Sequence, residues 1–284
     1  MSAEETITRN TLQFERTGPV GHLILQRPDK LNAFTVEMWR ELVELGAQLV
    51  EHPELRALVV MGSGRAFSSG IDTSVFVTGL DEAAGDESLA SLPGRGTRHE
   101  NRTVDMIMGV QAAYSWLAEA PFCTIAAVHG YAYGAGLQMA AACDLRVFAR
   151  GAKVGLLELK YGILPDLGGT QRVSRLVGPG RAKELIFTGA RIDADEAYRI
   201  GLCERIVNTE DLDATVTALA AEIAAQPPLA VRGAKRAVDR SFEVPIAEGL
   251  QFEAEQQAVC LRSDDMREAI TAFVESRDPV YRGR

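Results

Sequence analysis

The feature that most constrains the fold of this 284-residue chain is the stretch from Thr124 to Asp144. In it a short apolar run gives way to glycine-spaced residues and then to an alanine-rich run. This pattern predicts a buried strand, a tight turn and a buried helix. Such a junction gathers unpaired backbone N–H groups at the positive end of a helix dipole, where negative charge is stabilised. Gln138 lies in the first turn of this helix, and its amide cannot act as an acid or a base.

Composition limits the classes of protein that fit. With 46% hydrophobic and 24% charged residues, the chain predicts one sizeable domain, or one domain with a small appendage. A net charge of -9 without a long Lys/Arg cluster argues against nucleic-acid binding. The four cysteines are widely spaced and have no histidine at ligand spacing, so no metal site is expected. The amino terminus has no leader pattern, and we expect a soluble, cytoplasmic protein.

Strands and helices alternate through most of the chain. Strands are predicted over 20–26, 56–61, Cys123–Val128 and 145–148. Thr35 is the expected N-cap of one helix, a second covers 104–119, and Ser263 caps a last helix whose apolar face holds Met266, Ile270, Phe273 and Val274. The predicted fold class is an α/β core over residues 10–207 with a helical segment over 208–284. Residues 73–102 have no regular pattern and are typical of a lid or binding loop.

Two glycine-containing loops each follow a predicted strand. They are residues 62–72 and 130–136. If the two strands are neighbours in a sheet, one N–H from each loop can converge on a single oxygen and form an oxyanion hole, in which each donor is worth about 3 to 4 kcal/mol. The alternative is that both are ordinary glycine turns.

Other catalytic motifs fit less well. Gly134 and Gly136 are not followed by the third glycine of a dinucleotide fingerprint, and no P-loop sequence occurs. Ser68 lies in a loose relative of the nucleophile elbow, with His99 and His129 as possible bases, which leaves a serine hydrolase as a remote alternative. For His129 a hydrogen bond to the backbone is the favoured interpretation.

Glu158 and Asp166 are the carboxylates that stand among leucine and isoleucine residues. A buried carboxylate has its charged form disfavoured, which suits a proton carrier near neutral pH. The alternative is that the two carboxylates form ion pairs with Lys160 and Arg172.

Several segments together resemble the enoyl-CoA hydratase/isomerase (crotonase) family. They are residues 27–33, the loop 66–72, the turn 134–136 with Cys143 and Asp144, and the run 158–172. The resemblance spans about residues 10–280. It implies a spiral of strand-strand-helix turns, a helical carboxyl-terminal segment used in trimerisation, and a homotrimer or dimer of trimers. It also implies acyl-CoA thioester substrates of fatty acid metabolism and no cofactor beyond the coenzyme A of the substrate.

The resemblance also assigns residues. The oxyanion donors correspond to the N–H groups of Ile71 and Ala135. The implied substrate-binding residues are Lys30, Leu31, Ala33, Phe67, Ser69, Gly70, Ile71, Asp72, Gly134, Gln138 and Phe273. Of these, Lys30 and Leu31 match the part that contacts adenine, and Phe273 matches a region that closes the site of a neighbouring subunit, although Ser276 stands where a basic residue is frequent.

Gln138 decides between reactions within this family. Hydratases of the family use two glutamates, and Gln138 occupies the place of the first, whereas Glu158 matches the second. We therefore expect double-bond isomerisation by Glu158, with Asp166 matching a carboxylate of the dienoyl-CoA isomerases. Those isomerases carry an acidic residue at the Gln138 position, so the match is incomplete. Hydration by Glu158 alone, and an acyl-CoA-binding paralogue without catalysis, remain as alternatives.

Overall fold

The computed structural model describes residues 4–79, 81, 85–86, 88–92 and 99–284. The strands within them, numbered in chain order, are β1 Glu4–Thr8, β2 Leu12–Thr17, β3 Val20–Leu25, β4 Ala57–Gly62, β5 Cys123–Val128, β6 Tyr131–Tyr133, β7 Leu145–Ala149, β8 Lys153–Gly155, β9 Ile192–Asp193 and β10 Arg205–Val207. One sheet has the order β1-β2-β3-β4-β5-β7-β10, and β6, β8 and β9 form a second, smaller sheet.

The α-helices of the described residues surround these sheets. They are α1 Val36–Val50, α2 Arg102–Glu119, α3 Ala135–Ala142, α4 Gly169–Val177, α5 Pro179–Thr188, α6 Ala194–Arg199, α7 Leu212–Ala224, α8 Pro228–Arg240, α9 Ile246–Arg262 and α10 Asp264–Glu275. The fold is thus mixed α/β with an all-helical last quarter, as predicted.

The large sheet brings together the two strands that precede the glycine loops. β4 and β5 are parallel neighbours, with Val59 opposite Ile125 and Met61 opposite Ala127. Both loops therefore leave the same edge of the sheet, which confirms the adjacency that the oxyanion hypothesis required.

Successive residues of the central strands point to opposite faces of the sheet. On β4, Leu58 and Val60 face the main core, whereas Ala57 and Val59 face a second core. Helix α7 covers that second face with residues at helical spacing, among them Leu212, Val216, Leu219 and Ala220. The sheet is buried on both faces, as its parallel strands require.

The predicted helix starts are confirmed. Thr35 accepts a hydrogen bond from Met38 N at the start of α1, and Ser263 accepts one from Met266 N at the start of α10. The predicted strands agree with the structure to within about a residue at each end.

No strand was predicted before residue 20, but this part of the chain forms the hairpin strands β1 and β2 beside β3. β1 is an edge strand of mostly polar residues with no buried side chain, so no hydrophobic alternation marks it. The short strands β6, β8, β9 and β10 were also missed, because two or three residues are too few to show a period.

The predicted lid or binding loop at 73–102 is described in part. It includes a π-helical turn at Val75–Gly79 and a 3₁₀ turn at Leu89–Ser91. Residues 80, 82–84, 87 and 93–98 of this prediction lie outside the described residues.

The last two helices leave apolar side chains uncovered in the single chain. No residue of α9 is buried. On α10 the predicted apolar face is exposed, with Phe273 86% and Val274 77% accessible. No helix of the described residues is both long enough and apolar enough to cross a membrane.

Candidate active site

The two glycine loops are joined by backbone hydrogen bonds where they leave the sheet. Ser68 N donates to Tyr131 O at 2.9 Å, and Tyr133 N donates to Ser68 O at 3.0 Å. These bonds form a short parallel bridge between the loop after β4 and strand β6. The loop carrying Ile71 is thereby fixed against the turn that precedes α3.

Two glycines permit this close approach. Gly70 has φ +105°, and a Cβ there would lie 3.0 Å from Tyr133 O. A Cβ on Gly136 would lie 2.8 Å from Ser68 O. Both obstacles are backbone atoms, which cannot move aside as the end of a flexible side chain can. Gly70 and Gly136 are therefore required for more than a turn. Because they have no side chain, the two loops can pack against each other.

The N–H groups of Ile71 and Ala135 are free in the described part of the chain. On either side of Ile71, Gly70 O accepts from Phe34 N and Asp72 N donates to Phe34 O, both at 2.8 Å. Ala135 is the first residue of α3, where backbone N–H groups have no partner within the helix. A Cβ on Gly70 would lie 3.9 Å from Ala135 N, so the two loops meet at this point. The arrangement suits two donors converging on one oxygen.

Glu158 lies beside this junction and is only 5% exposed. Its Oε1 accepts a hydrogen bond from Gln138 Nε2 at 2.6 Å, whereas its Oε2 is buried and has no partner. Gly134 gives the carboxyl its space, because a Cβ there would lie 3.1 Å from Oε1. One carboxyl oxygen is thus fixed, and the other is available.

Gln138 connects Glu158 to the start of α4. Its Oε1 accepts hydrogen bonds from Leu167 N at 2.8 Å and Gly169 N at 2.9 Å. Gly169 is required for this contact, because a Cβ there would lie 2.9 Å from the same oxygen. The Gln138 side chain is 1% exposed, so its amide is enclosed by the protein.

Both predicted proton carriers have raised pKa values. Burial raises the pKa of Glu158, and the charge of Asp166 adds to that effect. The nearby backbone N–H groups of Glu158 and Leu157 and the hydrogen bond from Gln138 oppose it. Burial also raises the pKa of Asp166. A carboxyl with a raised pKa can accept and release a proton nearer neutral pH than an exposed one.

The predicted ion pairs with Lys160 and Arg172 are wrong for the described residues, since no such pair forms. Arg172 instead donates to Leu167 O at 3.1 Å and to Ser115 Oγ at 3.2 Å. Of the apolar neighbours in sequence, Leu164 is 57% exposed and Leu167 is buried. Glu158 itself contacts Gln138 of α3 and lies against Gly134 in the preceding turn.

The segments predicted to hold the coenzyme A part lie side by side. Ser69 N donates to Leu31 O at 2.9 Å, which places residues 30–33 along the loop after β4. Lys30 is exposed, and Ala33 is buried. Asp72 forms an ion pair with Arg27 at 3.0 Å.

Two other predicted binding residues differ in exposure. Phe67 is fully buried in the main core. Phe273 projects into solvent from α10 of the same chain and has no recorded contact with the site in the described residues.

Neither Ser68 nor His129 has the geometry of a hydrolase. Ser68 is fully buried, and its Oγ donates to Asn32 O at 2.8 Å and accepts from Gly70 N at 3.2 Å. His129 Nε2 lies 3.1 Å from Gly64 O, the backbone hydrogen bond that was favoured for it. The serine hydrolase hypothesis is therefore wrong.

Sequence reasoning missed two residues of α2 that adjoin the site. Gln111 Nε2 donates to Asp166 O at 2.6 Å and so holds the segment that carries Asp166. Tyr114 is fully buried, and burial together with the charges of Glu158 and Asp166 raises its pKa. In the sequence both look like ordinary helix residues, and no local signal distinguishes them.

A cavity of about 790 Å³ lies between α2, α3, α4 and α8. Its lining includes Ala141 and Asp144, at the carboxyl end of α3, together with Leu167. Glu158 and the free N–H groups lie at the other end of that helix. The cavity lining therefore does not include Glu158 or the residues that carry the two free N–H groups.

Comparisons with known proteins agree with this geometry. A family model for enoyl-CoA hydratase/isomerase matches residues 15–284. The chain is 35% identical to a probable enoyl-CoA hydratase of Mycobacterium bovis, covering 98% of this chain and 100% of that protein. It is 32% identical to a peroxisomal Delta(3,5)-Delta(2,4)-dienoyl-CoA isomerase of Arabidopsis thaliana, covering 99% of each. A crystal structure of a putative enoyl-CoA hydratase from Thermobifida fusca in complex with acetoacetyl-CoA superimposes with a TM-score of 0.79 at 35% identity, covering 88% of this chain and 94% of that one.

Proposed function

The chain belongs to the enoyl-CoA hydratase/isomerase family, and we propose that within it the protein moves a double bond along an enoyl- or dienoyl-CoA thioester. The observation that carries this preference is Gln138. Its amide occupies the place beside Glu158 where water addition would need a second acid or base, and an amide is neither an acid nor a base near neutral pH.

The proposed reaction begins with the thioester oxygen between the N–H groups of Ile71 and Ala135. Glu158 removes a proton from a substrate carbon, and the electron pair of the broken C–H bond moves into an enolate. The two N–H groups stabilise the negative charge on the enolate oxygen. Glu158 then returns its proton to a different carbon, where a new C–H bond forms. No atom is gained or lost, and the double bond has moved.

Asp166 is the second carboxylate of this proposal. Its raised pKa and its electrostatic coupling to Glu158 support a role in proton transfer on longer conjugated substrates. A second candidate function is hydration of a 2-enoyl-CoA, which is favoured by the hydratase names of several relatives. In that case Gln138 orients the water and Glu158 alone transfers protons.

The test is a product assay on 2-enoyl-, 3-enoyl- and 3,5-dienoyl-CoA. Isomerisation leaves the mass unchanged and alters the ultraviolet spectrum, whereas hydration adds the mass of water. Isomerisation that is lost in Glu158→Gln is the expected result. Rapid hydration that survives Asp166→Ala would overturn the isomerase preference. Tight binding of thioesters by calorimetry without any turnover would favour a non-catalytic paralogue instead.

We also propose that the protein assembles as a homotrimer or a dimer of trimers. The support is the uncovered apolar surface of α9 and α10 in a single chain, including Leu250, Ile270 and Phe273. A second copy of the chain would bury these side chains. The acyl-CoA ligand of the Thermobifida fusca structure supports a thioester as the substrate class.

A further inference from the structure

The amide of Gln138 can adopt only one orientation. Its Oε1 faces two backbone N–H groups, those of Leu167 and Gly169, which donate and cannot accept. A flipped amide would place its NH₂ group against both donors. The Nε2 group must therefore face Glu158, because only this orientation lets Oε1 accept from both backbone N–H groups.

This orientation gives the two carboxyl oxygens of Glu158 different environments. Oε1 accepts the Nε2–H group of Gln138 at 2.6 Å and lies against Gly134. Oε2 is buried and accepts nothing. An unpaired buried oxygen is costly in a folded protein and is kept where it has a chemical task.

We propose that Gln138 is a positioning residue that holds Glu158 by Oε1, so that Oε2 alone removes and returns the substrate proton. The inference rests on the proposed function, because it assigns an oxygen to that reaction. One oxygen in a fixed carboxyl faces one side of the substrate, so the proton leaves and returns on the same face. The proton passes from carbon to Oε2 and back, and no further reactant is needed.

The other charged groups near Glu158 do not substitute for this hydrogen bond. Asp166, which precedes α4, and Tyr114 of α2 are coupled electrostatically to the carboxyl, and both lack positive charge. Lys160, on the same turn as Glu158, extends towards α5, since its Cε lies 3.0 Å from where a Cβ on Gly189 would be. No ion pair to Glu158 forms within the described ranges. Gln138 is thus the side chain that favours the ionised form against burial.

Two variants separate positioning from packing. Gln138→Glu keeps an acceptor for the N–H groups of Leu167 and Gly169, but it replaces the donor with a carboxyl that must share a proton with Glu158. Gln138→Met keeps the approximate length and loses both donor and acceptor. Gln171→Met is the control, because it also removes a glutamine donor but one on α4 that binds Thr170 Oγ1 and neither Glu158 nor Asp166.

The experiment measures the pH dependence of kcat/KM for isomerisation together with the ¹³C carboxyl titration of Glu158, assigned by its loss in Glu158→Gln. Both Gln138 variants lose a hydrogen bond to the carboxylate of Glu158. The acidic limb of the kcat/KM profile and the midpoint of the Glu158 titration are therefore expected to move to higher pH by about one unit. Gln171→Met should leave both midpoints in place. In any Gln138 variant that remains active, less of the deuterium placed on the carbon that loses its proton should be retained in the product than with the wild type.

Two results would overturn the inference. One is a fall in kcat in both Gln138 variants while the acidic limb of the kcat/KM profile and the Glu158 titration midpoint stay at the wild-type pH. A purely structural residue would behave in this way. The other is an equal shift in Gln171→Met. If the wild type isomerises none of the thioesters, the proposed function fails, but the carboxyl titration still reports whether Gln138 holds Glu158. The two failures are therefore distinguishable.

Discussion

At the scale of single residues, Glu158 is a carboxyl that the fold keeps at some cost. It is buried, and one of its oxygens has no partner in the described structure. Burial raises its pKa, so its protonated form is favoured in the folded state relative to the unfolded chain. The stability it contributes is fully present below its unfolded pKa and is lost as the pH rises through its folded pKa.

Glu158→Gln should therefore have opposite effects on activity and stability. Removal of the proton carrier should lower kcat/KM by about 10²- to 10⁴-fold. The neutral amide avoids a buried charge, so the melting temperature should rise relative to the wild type as the pH increases through the folded pKa. Calorimetric melting from acid to neutral pH measures this difference. A difference that is constant over that range would show that ionisation of Glu158 does not affect stability.

Gly134→Ala should stop catalysis through the same carboxyl. Gly134 has φ 50° and ψ -118°, and a Cβ there would press on Glu158 Oε1 at 3.1 Å. Backbone strain of this kind costs about 1 to 3 kcal/mol. Gly178→Ala is the control, because Gly178 also has a positive φ of 80° but an added Cβ meets nothing within 4 Å. Both variants should lose stability in denaturant, and only Gly134→Ala should lose kcat beyond the effect of partial unfolding. Equal kcat values would contradict the contact.

At the scale of elements, helix α1 supports the loop that carries Ile71. Phe34, just before the helix, exchanges backbone hydrogen bonds with Gly70 and Asp72. Thr35 caps the helix by accepting from Met38 N at 3.2 Å. The amino end of α1 and one wall of the proposed oxyanion hole are therefore a single hydrogen-bonded unit.

Thr35→Ala should destabilise the protein by about 1 kcal/mol, because the capping acceptor is lost. Thr35→Ser keeps the hydroxyl and should stay close to the wild type. Urea unfolding of the three proteins measures the difference in free energy. If the alanine and serine variants unfold at the same urea concentration, the cap contributes nothing and the prediction is wrong.

At the scale of the whole molecule, the last two helices have an apolar surface that the single chain does not cover. Phe273→Asp places a charge in the centre of the exposed face of α10, so it should convert the proposed trimer or hexamer into smaller species. Thr271→Asp, about 100° around the helix from Ile270, is the control and should keep the assembly. Size-exclusion chromatography with light scattering gives the masses. A wild-type protein that elutes as a monomer would contradict the proposed assembly.

Much of the fold and part of the site follow from local sequence. The caps at Thr35 and Ser263 were predicted because capping is a short-range effect, and the strand Cys123–Val128 was predicted because a short continuous apolar run can be recognised in the local sequence. The hairpin strand β1 was not predicted, because its pairing with β2 depends on backbone partners and not on its own polar side chains. Gly136 was predicted as part of a turn. A glycine is required there because Ser68, which is distant in sequence, approaches it closely in the fold.

The sequence by itself determined which groups are present: an amide at Gln138, carboxyls at Glu158 and Asp166, and glycine turns that free the N–H groups of Ile71 and Ala135. The tertiary structure alone decided how they act together. Gln138 and Glu158 are 20 residues apart, and the N–H groups that orient the amide come from a third segment. A hydrogen bond depends on distance and direction in space, and burial depends on all neighbours at once, so the division of Glu158 into a held oxygen and a free one appears only when the chain has folded.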